Sequence, residues 1–270
     1  MDEIHFSSPA LSERIQLLAL DSATSTNLLV KDLGAKGAPE GTLITALEQT
    51  QGRGRLGRRF ESPAGSGLYF TILLRPDLPA AESLQITILA AVAAAEGIAE
   101  VTGLAPEIKW VNDLYLNGRK ICGILAESAL KPDTGHIDYT ALGIGVNLTE
   151  PEGGFGGTAS GVAGALYPYG TLQKDQTEEL RTALLAATAN RILRYYDELK
   201  KGGAVSYMAR YRASNYLFGK DVLLVDDITR PELARRARAE AIDEEGRLIV
   251  TLPDGTKETV VSGDVTVKLN

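Results

Sequence analysis

A short segment in the middle of the chain limits the fold more than any other. In Asp113-Leu-Tyr-Leu-Asn-Gly-Arg-Lys-Ile121, two arms with apolar residues flank Asn117-Gly118. Asn-Gly is the strongest two-residue signal for a hairpin turn, because both central positions need positive φ. An antiparallel pair is therefore expected here. Further runs with strand character cover residues 14–20, 42–48, 67–74, 108–110, 120–128 and 137–147. Strands follow one another, and helices do not strictly alternate with them. That order points to an α+β fold with a mixed sheet, not a doubly wound one.

Two segments carry helical periodicity. Leu84, Ile88, Ala91, Ala95 and Ile98 recur at helical spacing and form one apolar stripe. Leu185, Ile192 and Leu199 do the same in a segment that starts near Asp175, opened by acidic residues and closed by Lys200-Lys-Gly-Gly203. A third helix is expected after Ser25, where Leu28, Leu29 and Leu33 share a face. The pattern changes after Leu217. From Gly219 onward, short apolar runs are split by Asp243-Glu-Glu-Gly246 and Pro253-Asp-Gly255, as in a small β-barrel. The sequence thus divides into domains 1–217 and 218–270, with Gly153–Gly157 read as a surface loop.

Composition narrows the function. A formal net charge of −7 argues against a DNA or RNA partner, since such proteins present a basic face to phosphates. Cys122 is the only cysteine, so no intrachain disulfide forms and a reducing, cytosolic setting is expected. His5 and His136 are the only histidines and cannot build a zinc set with one thiol. The N-terminal residues lack the basic start and apolar run of a signal peptide. The most apolar run, residues 86–95, reads as too short and too alanine-rich to span a bilayer.

Four segments can carry chemistry. Gln49-Thr-Gln-Gly-Arg-Gly-Arg-Leu-Gly-Arg-Arg-Phe60 interleaves glycines with Arg53, Arg55, Arg58 and Arg59 after a strand. Glycine admits a ligand close to backbone amides, and arginine offers bidentate donors to phosphate or carboxylate. Composition alone leaves a solvated basic loop as an equal reading. Ile108-Lys-Trp-Val-Asn-Asp113 places a lysine, an amide and a carboxylate at a strand end; the alternative is an ordinary strand end with Trp110 in the core. Asp21-Ser-Ala-Thr-Ser-Thr-Asn27 offers hydroxyls and an amide at a helix start, where plain N-capping would also use them. Leu142-Gly-Ile-Gly-Val-Asn147 is a strand whose glycines admit a flat ligand or a tightly packed neighbour. Cys122, in a buried strand pattern without a histidine beside it, reads as a small core residue.

In this order the four segments resemble the biotin–protein ligase family. Its GRGRxGRxW loop matches Gly52-Arg-Gly-Arg-Leu-Gly-Arg-Arg-Phe60, and its KWPND matches Lys109-Trp-Val-Asn-Asp113. Arg119-Lys-Ile-Cys-Gly-Ile-Leu-Ala-Glu127, Ser25-Thr26-Asn27 and Gly143-Ile-Gly-Val-Asn147 follow the family as well. Phe60 stands where the family has tryptophan and Val111 where it has proline. The resemblance covers the whole chain and implies a class II synthetase-like catalytic domain followed by an SH3-like β-barrel.

It further implies that biotin and ATP give biotinyl-5′-AMP, and that biotin then passes to a lysine of a biotin carboxyl carrier protein. By motif position, Ser25, Thr26, Asn27 and Gln49 would meet biotin, with Arg53, Gly54 and Arg55 folding over it. Arg55, Arg58 and Phe60 would face the nucleotide, Asn147 the adenine, and Lys109 would bridge carboxylate and α-phosphate as the main electrostatic catalyst together with Arg55. Mg2+ accompanies the triphosphate, and its protein ligands are not singled out. Fewer residues precede Ser25 than a DNA-binding winged helix needs, so no repressor role is expected; a homodimer is left open. The competing readings are a lipoate–protein ligase, whose arginine loop has a different RRxSGGG-like pattern, and a non-catalytic nucleic-acid-binding module.

Overall fold

The Asn-Gly turn forms as its chemistry requires: Asn117 and Gly118 both have positive φ, 51° and 74°, and join β5 (Asp113–Leu116) to β6 (Arg119–Leu130). The computed structural model describes residues 11–202, 206–225, 229–261 and 263–267, so His5 and the N-terminal start lie outside the described residues. Around this hairpin a seven-stranded sheet assembles from β1 (Gln16–Ala23), β2 (Thr42–Gln49), β3 (Gly67–Leu74), β4 (Glu107–Lys109) and β7 (Ile137–Asn147), with β5 and β6. Its order is β1-β2-β3-β7-β6-β5-β4. Only β1 and β2 run parallel, joined over α1 (Thr26–Ala35), and every other pair is antiparallel. The fold is therefore α+β with a mixed sheet.

The two faces of this sheet are covered unequally. One carries α2 (Ser83–Thr102) and α3 (Lys174–Lys200), which pack against each other and enclose the large core of Phe70, Ile72, Leu89, Val92, Leu142 and Ile192. Gln173 and Gln176 cap the start of α3 reciprocally. The other face carries α1 alone, over a small core of Leu20, Val30, Ile44, Leu73 and Tyr139. The part of that second face formed by the end of β7 and the start of β6 extends past the small core under α1 and is the ground on which a site can be built.

Ala80–Thr102, counting a first turn ahead of α2, is long and apolar enough to cross a membrane, although the sequence reading judged its apolar run too short. Ile86, Ile88 to Ala95 and Ile98 are buried against the sheet and α3, and burial on all sides accounts for such a composition in a core helix.

The C-terminal segment forms a five-stranded antiparallel sheet of SH3-like type, ordered β11-β10-β9-β8-β12. The strands are β8 (Asp221–Val225), β9 (Arg235–Ile242), β10 (Leu248–Thr251), β11 (Lys257–Val260) and β12 (Asp264–Val267). β9 escapes the sequence reading because its inward positions are Ala237, Ala239 and Ile242, alternating with arginine and glutamate. The short helix α4 (Ser206–Ala213) escapes it too, its buried positions being Tyr207, Met208 and Tyr211. The run after Thr256, read as one apolar stretch, is two strands at opposite edges of this sheet.

This sheet is locked onto β4 and α4. Trp110 Nε1 donates to the Gly246 carbonyl at 2.9 Å, and Arg212 donates to the carbonyls of Ile242 and Asp243 at 3.0 and 2.7 Å. Trp110→Phe should leave a buried carbonyl unsatisfied and destabilise the chain by about 2 kcal/mol, read as a lower denaturation midpoint at unchanged slope.

Candidate active site

Alternation of side chains along β3, β7 and β6 places Thr71, Gly143 and Leu125 in one cross-strand row, and Tyr69, Gly145, Gly123 and Asp113 in the next row of the same face. The glycines make the floor of a cleft. A Cβ on Gly143 would lie 1.8 Å from Asn27 Oδ1, and one on Gly145 would lie 2.5 Å from the Phe60 ring. Both positions therefore exclude any side chain.

At the α1 end of the floor, Ser25 is the N-cap residue of α1 but its hydroxyl makes no capping bond. Ser25, Thr26 and Asn27 are buried yet line the cleft. Gln49 Oε1 accepts the Thr26 backbone N–H at 2.9 Å and lies 3.1 Å from its hydroxyl, while Gln49 Nε2 donates to Ser62 Oγ at 3.0 Å.

The Gly/Arg loop forms a small hairpin over the floor, closed by bonds from Gly54 N to Arg58 O (2.7 Å) and from Phe60 N to Gly52 O (3.0 Å). Each of its arginines has a different partner: Arg53 faces Glu127 (3.4 Å), Arg55 donates to Asn112 Oδ1 (3.0 Å), Arg58 to Asp264 Oδ2 (2.7 Å) and Arg59 to the Thr50 carbonyl (3.0 Å). The loop thus touches α1's surroundings, the β4–β5 turn and the C-terminal sheet at once.

At the far end stands Lys120, 2.7 Å from Asp113 Oδ1. Strict alternation from Gly123 would send Lys120 to the opposite face with Cys122. Instead, the β5–β6 pairing skips Ile121, so that Tyr115 opposes Lys120 and Leu114 opposes Cys122. This bulge turns Lys120 into the cleft while Ile121 and Cys122 both enter the large core.

Of the residues singled out from sequence, Ser25, Thr26, Asn27, Gln49, Arg53, Gly54, Arg55 and Phe60 line this cleft; Lys109, Arg58 and Asn147 do not. Asn147 is buried and its amide donates to the Gly164 carbonyl at 2.8 Å, bracing the loop after β7. Lys109 pairs with Asp113 and so continues the second row on the same face; it is buried beside the cleft, its ammonium 5.4 Å from the centre of the Tyr115 ring. Burial pushes its pKa down, the charges of Lys120 and Arg58 push the same way, and Asp113 and Asp264 oppose them. Lys120, Asn112, Phe70, Gly123, Ile124, Leu125 and Ile144 also line it and were not assigned a role from sequence.

Among the described residues no group of three histidines, cysteines or carboxylates could hold a metal ion. Cys122 is fully buried, and burial pushes its thiol pKa far up, which removes it as a nucleophile. The arrangement thus sets no histidine beside the hydroxyls of Ser25 and Thr26 among the described lining residues. It offers hydrogen-bonding groups at one end, cations at the other, and a flat floor between them.

Residues 17–147 match the model of the biotin/lipoate A/B protein ligase family, and residues 228–268 match that of the biotin protein ligase C-terminal domain. The chain is 31% identical over 252 residues to the bifunctional ligase/repressor BirA of Bacillus subtilis, covering 92% of this chain and 73% of that protein. It is 28% identical to the biotin–[acetyl-CoA-carboxylase] ligase of Mycobacterium tuberculosis, covering 93% of this chain and 88% of the relative. The fold is that of the biotin protein ligase from Aquifex aeolicus solved with biotin and ATP: TM-score 0.73 at 24% identity, over 94% of this chain and 99% of the other.

Proposed function

The chain belongs to the biotin/lipoate A/B protein ligase family, and on that premise we infer that it is an ATP-dependent biotin–protein ligase. A biotin carboxylate oxygen attacks the α-phosphorus of MgATP, the bond to the β-phosphate breaks, and biotinyl-5′-AMP and pyrophosphate result. The amine of an acceptor lysine, on a biotin carboxyl carrier protein, then attacks the acyl carbon and releases AMP. Neither step needs an enzymic nucleophile. What both need is alignment of anions and stabilisation of the charge that builds on phosphorus.

The observation that carries this reading is the polarity of the cleft. Ser25, Thr26 and Gln49 suit the ureido head of biotin, and Lys120 with Arg55 suits the carboxylate and α-phosphate. Motif position gave the main electrostatic load to Lys109. The geometry supports giving it to Lys120, which lines the cleft, with Lys109 as a positive charge buried beside it in the row of Asp113. Arg58 reaches phosphate once it leaves Asp264, Phe60 walls the nucleotide side, and Asn147 acts through the loop it braces. Magnesium enters with the triphosphate as substrate, which suits a cleft without a carboxylate cage. The acidic balance favours a ligase with no DNA partner and the single cysteine a cytosolic one, and the same reading divides the chain at residue 217.

The test is pyrophosphate release from ATP with biotin, with lipoate and with neither acid. Release with biotin alone is the expected result. Release with lipoate alone would move the chain to the lipoate side of its family, and release with neither would leave a binding module.

A further inference from the structure

A row of hydrogen bonds crosses the sheet under the cleft and ends on a residue outside it. Glu127, on β6, accepts Asn27 Nδ2 at 3.2 Å and Lys31 Nζ at 2.8 Å, and pairs with Arg53 at 3.4 Å. Burial pushes its carboxyl pKa up, but the bonds from Lys31 and Asn27 and the charge of Arg53 overcome this and hold it below the usual range. Glu127 does not line the cleft.

Its effect is on polarity. A carboxylate only accepts, and so does the Leu125 carbonyl, the second partner of Asn27 Nδ2 at 3.2 Å. The Asn27 amide therefore cannot reverse, and its Oδ1 must face Thr71 and Gly143. Gln49 is fixed in the same way at the other end, because its Oε1 meets a backbone N–H. Between these two carbonyl oxygens stand the hydroxyls of Thr26 and Thr71. The oxygens are 3.1 Å apart for Gln49 and Thr26, 2.8 Å for Thr26 and Thr71, and 2.8 Å for Thr71 and Asn27. Three contacts thus share the two protons that two hydroxyls can give. Gln49 Oε1 keeps the Thr26 backbone N–H in every arrangement, so when Thr26 donates to Gln49 and Thr71 to Thr26, the oxygen left without a donor is Asn27 Oδ1. An N–H arriving from the cleft at Asn27 Oδ1 completes the row. A ureido ring carries N–H groups and a dithiolane ring carries none.

We propose that Glu127 is a positioning residue that makes this row acceptor-rich and so selects a ring bearing N–H donors over one without them. The proposal rests on biotin being the acid. In Glu127→Gln the new carbonyl turns to the two cations, which leaves the new amide against Asn27 Nδ2 and reverses the requirement. Pyrophosphate release should then show a biotin KM raised about tenfold, with kcat and the ATP KM within about twofold of wild type. Glu127→Asp, which keeps the charge, should recover most of the loss.

One arm does not depend on a variant folding: wild type should use biotin methylated on its ring nitrogens at least about tenfold less well than biotin. In Glu127→Gln that gap should close. An unchanged biotin KM in the variant, an equal rise in the ATP KM, a Glu127→Asp variant no better than Glu127→Gln, or equal use of both acids by wild type would each overturn the proposal alone. No biotin-dependent release by wild type would overturn the reading of the acid, and this proposal with it.

Discussion

Lys120→Ala should lower the rate of biotin-dependent pyrophosphate release by roughly a hundredfold to a thousandfold. Lys120 is the lysine that lines the cleft, and its ammonium sits 2.7 Å from Asp113 at the end where carboxylate and phosphate would meet. Removing one preorganised donor from a water-poor site costs about 3–4 kcal/mol of transition-state stabilisation. The loss should fall on kcat more than on the biotin KM, because phosphorus gains charge in the transition state and biotin's head is held elsewhere. Lys109→Ala is the informative partner. Its ammonium is buried over Tyr115 and does not line the cleft, so its charge acts across distance, and its loss should cost only about tenfold. A larger loss for Lys109→Ala than for Lys120→Ala in the same kinetic assay would return the main electrostatic role to the residue chosen from motif position.

The second large effect belongs to the floor. In Gly143→Ala the new methyl would stand 1.8 Å from Asn27 Oδ1 and 2.8 Å from its Cγ. Asn27 cannot yield without breaking bonds to Leu125, Glu127 and Thr71. Overpacking of this kind costs about 1–3 kcal/mol of stability, and the lost hydrogen bonds add to it. Biotin binding, followed by calorimetry, should weaken by about a hundredfold or more, since roughly 1.4 kcal/mol corresponds to each factor of ten. Gly156→Ala, where a Cβ meets nothing within 4 Å, should leave binding and stability unchanged. Near-normal binding in Gly143→Ala would mean that Asn27 is not held as described.

How much of this was legible in the sequence depended on which physical signal each residue left. The Asn117-Gly118 turn was legible because only positive φ at both positions closes a two-residue hairpin, and that is what forms. The glycines of β7 were legible as places of close approach, and the floor uses them so. The role of Lys120 was not. Period-two reading assigns it to the buried face beside Cys122, and only the skipped pairing at Ile121 turns it round. Glu127 was quoted as part of a motif yet left without a role, since its work is done through partners at Asn27, Lys31 and Arg53, about a hundred residues away for two of them. Strand β9 was missed because alanine at its inward positions leaves little apolar contrast against its arginines.

The four tied arginines of the loop bear on what the cleft will hold. An anion that takes Arg58 competes with Asp264 for its guanidinium, and one that takes Arg55 competes with Asn112. Capture is therefore an exchange of partners, and a small anion offering a single contact gains little by it. A ligand long enough to engage several arginines together recovers on each what it displaces. A loop tied in this way should discriminate by reach, holding a nucleotide better than free phosphate.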